Sequence, residues 1–253
     1  MTALDFSPAP GAAPPVRRVM RHGRLEARLL VRNGEQLLLA LVIPLVILVT
    51  VRVAGGRLGD FAELAPSVLA VAVWSSGFTS VAISTGFERR YGVLERLVAT
   101  PLGPSGLIAG KSLAVLMILA GQLVILAGVA AVLGWRPAFT AASGPTAVLL
   151  VIMATATFVC LGLLLASRLR AEATLGLANL IYLLLLAGGA LIVPLDRYPA
   201  AVQPVLEVLP TAALGEGLRA AAGGITLGWP LLVLVFWLAA AGLAAWKGFR
   251  QRN

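Results

Sequence analysis

Long apolar runs alternate with short charged ones along this chain. Six of the runs, residues 36–53, 66–86, 107–133, 146–166, 174–193 and 230–246, come near the length that crosses about 30 Å of hydrocarbon at about 1.5 Å per residue. Pro44 interrupts the first, which a membrane helix tolerates. The pattern predicts an all-α polytopic membrane protein with six transmembrane helices in one domain, residues 16–253. Residues 1–15 contain Pro8, Pro10, Pro14 and Pro15 but no apolar core, so a disordered cytoplasmic tail is expected there and a signal peptide is not.

Two further stretches read as amphipathic helices. In residues 16–32, Arg17, Arg18, Arg21, Arg24, Arg28 and Arg32 interleave with Val19, Met20, Leu25, Leu29 and Leu30. This predicts an interfacial helix in the headgroup plane with its arginines toward anionic lipid; a plain positive-inside anchor gives the same pattern. In residues 87–99, helical spacing puts Phe87, Tyr91, Leu94 and Val98 on one stripe, Glu88, Gly92 and Glu95 on a flank, and Arg89 and Arg96 on the far side. Arg90 adds another charge. Thr100-Pro101 ends that helix, Gly103-Pro104 turns the chain, and Ser105 is the expected cap of the next helix. Six charges between two apolar runs, Lys111 included, must sit in water. By composition the stretch is either a solvated loop that sets topology or a docking helix.

Orientation follows from the basic residues. One side of the six runs carries 15 Lys and Arg and the other carries 5: Arg52, Arg57, Arg136, Arg197 and Arg219. Both termini and the 87–111 stretch are therefore expected in the cytoplasm. Trp135, Tyr198 and Trp229 then fall near the outer interface and Trp246 near the inner one. Residues 194–228 form a long outer segment in which 201–209 and 214–222 are too short to span, so they are expected either as helices dipping into the outer leaflet or as a re-entrant hairpin covered by protein.

Composition narrows the chemistry. With 59% hydrophobic and 12% charged residues, the chain is too apolar for a soluble domain of 253 residues. The net charge of +9 is accounted for by topology and anionic headgroups, and nucleic-acid binding is rejected. Cys160 is the single cysteine and His22 the single histidine, so neither a disulfide within the chain nor a paired metal site is expected. No carboxylate falls inside an apolar run, which argues against a proton-relay pump. Residues 105–112 approach a phosphate-binding loop but lack its first glycine, its strand and its α/β setting. ATP is not expected to bind this chain. Ser76, Gln122, Thr157 and other neutral polar residues in the runs are expected to bond between helices, and Trp74 and Trp237 either pack or face a lipophilic substrate.

The order Glu88-Arg89-x-x-Gly92-x-Leu94-Glu95-x-Leu97-x-x-Thr100-Pro101, followed by Gly110-Lys111, resembles the cytoplasmic motif of type-2 ABC transporter permeases, nearest the daunorubicin-resistance-like drug-export branch. Leu209-Pro210-Thr211 departs from that branch, where an Asn-Pro and a hydrophobic-aromatic pair are common. The resemblance implies a cytoplasmic coupling helix at the motif, short extracellular helices before the last span, and no catalytic residue in this chain. It implies a separate ABC ATP-binding subunit holding ATP and Mg, a second permease copy, identical or paralogous, and a bacterial plasma membrane. The expected function is export of a drug-like or lipid substrate. The alternatives are glycan export, an ATP-independent secondary transporter, and an anchoring protein for which the motif is a docking site only.

Overall fold

The computed structural model describes residues 11, 13–32, 34–55 and 59–250. The expected N-terminal tail lies, through residue 10, outside them. The helices are α1 (Pro15–Arg32), α2 (Gly34–Val53), α3 (Phe61–Trp74), α4 (Ser80–Arg90), α5 (Val93–Val98), α6 (Gly103–Val132), α7 (Ser143–Arg168), α8 (Ala171–Gly188), α9 (Gln203–Glu207), α10 (Pro210–Ala222) and α11 (Trp229–Arg250). A π-helical turn, Ser75–Thr79, joins α3 to α4, and a 3-10 turn, Leu195–Arg197, follows α8.

Among the described residues, five helical units are long and apolar enough to cross a membrane: Phe61–Arg90, α6, α7, α8 and Trp229–Phe249. The first expected run falls in α2. Its apolar stretch, Ala40–Val53, is shorter, and the side chains of residues 34–39 lie outside the described ones. At 30 residues each, Phe61–Arg90 and α6 measure about 45 Å, so each overshoots the hydrocarbon by several turns. That surplus length lets charged residues continue an apolar helix without a break.

α7 is the central post, with α3, α4, α6, α8, α10 and α11 packed around it. Close approach requires small residues. A Cβ on Gly77 in the π turn would sit 2.9 Å from Phe158 Cβ, and one on Gly162 would sit 2.8 Å from the Phe78 carbonyl oxygen. Trp74 is 1% exposed, stacked on Phe78 at 4.4 Å and edge-on to Phe158 at 4.7 Å. Of the two readings for Trp74, packing holds. Some of the neutral polar groups bond between helices: Ser76 donates to Gln122 Oε1, Gln122 Nε2 to the Ala40 carbonyl, and Thr157 to the Leu234 carbonyl, whereas Ser75, Ser84 and Thr155 donate to carbonyls of their own helical run.

α1 and α2 both follow α6. His22 packs on Gly110, Glu26 meets Lys111, Ala40 meets Gln122, and Arg52 Nε donates to the Leu133 carbonyl at 2.6 Å. Partner numbers rise together, so α1 and then α2 run beside α6 in the same direction.

The fifth run ends early. Residues 174–193 were expected to be helical, but the helix stops at Gly188 and the chain bends through Ala190 at φ 51°. Arg219 on α10 makes the bend possible: its guanidinium donates to the carbonyls of Ala190 and Leu191 at 3.0 and 2.9 Å and to Ser67 Oγ at 2.8 Å. Glu216 accepts from Arg219 at 2.8 Å and from the Leu195 N–H at 2.6 Å. Non-helical backbone survives deep in a membrane protein only where protein groups satisfy it. Arg219, counted above among the loop charges, is thus folded inward, and Glu216 is a carboxylate within packed protein. The short helices expected in residues 194–228 are α9 and α10; α10 is buried against α3, α7 and α11.

Candidate functional site

The motif is not one helix. The expected helix over 87–99 breaks at Tyr91-Gly92, because Gly92 takes the left-handed region at φ 66°, where a side chain is disfavoured. Phe87, Glu88, Arg89 and Arg90 are therefore the last turn of α4, continuous with the second span. Leu94, Glu95 and Arg96 belong to the separate α5. The break dismantles the expected apolar stripe. Leu94 and Val98 turn into the core, Phe87 is half-buried, and Tyr91 is 69% exposed. Thr100 does end α5: its hydroxyl donates to the Leu97 carbonyl at 2.6 Å and accepts from the Leu102 N–H, with Pro101 exposed beside it. α6 then begins at Gly103 with no side-chain cap, so Ser105 does not have the expected role.

The charges divide into a buried set and an exposed set. Lys111, on α6, is 5% exposed and donates to Glu88 Oε1 at 2.8 Å and to Glu26 Oε2, on α1, at 3.4 Å. His22 Nε2 stands 3.7 Å from the other Glu26 oxygen. Burial holds the His22 pKa below its usual value; Glu26 opposes that shift and Lys111 adds to it. His22 is therefore neutral at pH 7. α1 can approach this closely because glycines face each other: a Cβ on Gly23 would lie 2.9 Å from Leu113 Cδ2 and 3.1 Å from the Gly110 carbonyl oxygen.

The second set ties the motif to the α7–α8 turn. Arg89 Nη1 donates to the carbonyls of Ala166 and Leu169, at 2.9 and 3.0 Å, which caps the end of α7. Arg90 pairs with Glu172 at the start of α8, both largely exposed. Gly86, Arg89, Arg90, Glu95, Arg170 and Glu172 line a cleft of about 410 Å³ between the two segments. Tyr91, Val93, Glu95 and Arg96 stand exposed beside it as a knob of mixed charge around an aromatic ring.

On α1, Arg17, Arg21, Arg24, Arg28 and Arg32 are exposed and form one stripe opposite the face that meets α6, while Arg18 is half-buried. Sequence reasoning missed His22, Glu26 and Glu172 as site residues, and it counted Lys111 in the topology and in the motif without giving it a partner. A signal was available for Glu26, the single acid in an arginine-rich helix and one turn from the single histidine.

An apolar helical bundle with a long span ending in a mixed-charge knob is the build of a multi-pass membrane protein. The family model for the ABC-2 type transporter matches residues 23–222. The chain belongs to that family, and it is the permease component of an ABC transporter. The family in general works with an ATP-binding partner subunit. No curated protein matches the sequence.

Proposed function

We propose that this permease exports a hydrophobic or amphiphilic substrate across a bacterial plasma membrane, driven by ATP hydrolysed with Mg on a separate ATP-binding-cassette subunit. Two permease copies form the pathway, and both termini are cytoplasmic. The ATP-binding subunit grips the knob Tyr91, Val93, Glu95 and Arg96. The observation that carries this reading is the position of the knob: α5 packs on α4, the end of a 30-residue helical unit that runs into the bundle, so force applied at α5 is passed to that span. Arg89 and the Arg90–Glu172 pair pass the same force to α7 and α8.

Glu88 was expected in the docking surface. Its bond to Lys111 favours an internal role instead, with the exposed Tyr91 and Arg96 making the contact. The arginine stripe of α1 faces anionic headgroups in this reading.

The test is co-purification in detergent with the ATP-binding subunit encoded beside this chain, followed by ATP hydrolysis for wild type, Tyr91→Ala and Arg96→Glu. A stable complex that either variant weakens supports the reading. A permease that purifies alone and shows no associated hydrolysis turns it toward an ATP-independent transporter.

A further inference from the structure

We infer that Lys111 is a latch: displacement of Glu88 draws it off Glu26, frees α1 from α6, and opens the cavity that α1 closes. The inference rests on the coupling reading above and adds its internal consequence.

The latch is defined by its asymmetry. Lys111 holds Glu88 at 2.8 Å and Glu26 at 3.4 Å, so its ammonium is shared unequally between α4 and α1. Glu88 cannot leave Lys111 cheaply, because its other oxygen, Oε2, is buried with no partner and the carboxylate would be stranded. When the knob moves α4, Lys111 follows Glu88 and the longer bond gives way. Glu26 has only His22 beside it on the same helix, 3.7 Å away and not hydrogen-bonded, so its carboxylate leaves with α1 and takes up water instead.

What α1 releases is a cavity bounded by α1, α2, α4 and α6. Glu26, Leu30 and Ala40 close it from one side, and Ser76, Ser80 and Ser84 face it from the other at successive helical turns. Its volume is about 50 Å³. That holds a few waters, each needing roughly 10–15 Å³, whereas a drug-sized ligand needs roughly 300–1,000 Å³. The hydroxyl row with apolar Val81, Val115 and Ile118 around it suits the polar head of an amphiphile. Such a molecule fits only after α1 has moved.

The experiment uses the intact complex in nanodiscs. Cys160→Ala removes the one native thiol, Ser80→Cys puts one in the cavity, and labelling by a polar maleimide is timed with and without a non-hydrolysable ATP analogue. Labelling is expected to be slow without nucleotide and faster with it. Glu26→Leu, which leaves Lys111 on Glu88, should raise the nucleotide-free rate roughly tenfold, the scale of one charge-assisted hydrogen bond, and abolish the nucleotide effect while the ATP-binding subunit stays bound. Lys111→Arg should behave as wild type. If Glu26→Leu does not fold, Glu26→Gln is measured for the same direction. An unchanged rate in the folded variant, or a nucleotide-insensitive wild type in an intact complex, overturns the latch and leaves the coupling reading standing; failure of the wild-type complex to form overturns the coupling reading itself.

Discussion

Lys111 Nζ lies 2.8 Å from Glu88 Oε1, although the two residues sit on different helices on either side of the exposed knob. Everything between them, the left-handed Gly92, α5 and the Thr100-Pro101 turn, is an excursion whose two ends that contact joins, while Leu94 and Val98 anchor its middle in the core. The pair gives the knob a fixed base, and through Glu26 it joins α1 to the same base.

Removing the ammonium should therefore cost more than removing either carboxylate. Lys111→Met leaves Glu26 and Glu88 facing each other at 16% and 22% exposure, and stability should fall by an amount near the lower end of the roughly 3–5 kcal/mol for a broken buried pair. Glu26→Gln, which keeps an acceptor, should lose less. Thermal unfolding in detergent compares the two, and equal losses would mean that the cluster is not held by its charge.

The seat of α1 on α6 depends on absent side chains. Gly110→Val should destabilise the α1 contact by roughly 1–3 kcal/mol, since the new side chain meets the His22 ring. Gly121→Ala, on the same helix with open space beside it, should be neutral or stabilising by up to about 1 kcal/mol. Limited proteolysis of α1 together with thermal unfolding separates these outcomes.

Acidification should loosen the same contact. Folded His22 binds its proton less readily than unfolded His22, so the unfolded chain takes up more protons as pH drops below the ordinary histidine range. Stability is then full above about pH 6.5 and declines below it until the folded state also protonates. Melting temperatures at pH 7.5 and 5.5 should differ more for wild type than for His22→Gln; equal differences would remove His22 from the account.

Arg90 and Glu172 offer a contrast. Their side chains are 53% and 65% exposed, so Glu172→Ala should change stability by less than about 1 kcal/mol. If the pair carries force from the knob to α8, the same variant should lower ATP-stimulated transport while leaving the melting temperature in place. A variant with normal transport would confine the pair to the surface.

At the far end, Arg219→Met should be among the most damaging single changes. It strips the donors from Ala190 and Leu191 and leaves Glu216 in packed protein without its cation. A loss of several kcal/mol, or failure to fold, is expected in unfolding and expression measurements. Normal stability would mean that other donors satisfy the bend.

Much of the scaffold was legible because bilayer thickness fixes the length of an apolar run. The runs at 107–133, 146–166 and 230–246 became α6, α7 and α11 with small shifts at the ends. The short helices of residues 194–228 were legible as well, since Pro204 and Pro210 punctuate them. The motif was legible as a place and not as a shape. Spacing at 100° per residue carries straight through Gly92, and nothing local showed that this glycine would take φ 66° and turn Tyr91 outward.

By itself, then, the sequence determined that this is a membrane helix bundle with a charged segment between its second and third long runs, because hydropathy and charge are properties of each residue counted along the chain. Only the tertiary structure decided which charges are paired. Lys111 with Glu88 and Glu26, and Arg219 with the carbonyls after α8, are contacts between residues far apart in the chain. A charge becomes structural rather than solvated only when distant helices remove its water and supply its partner.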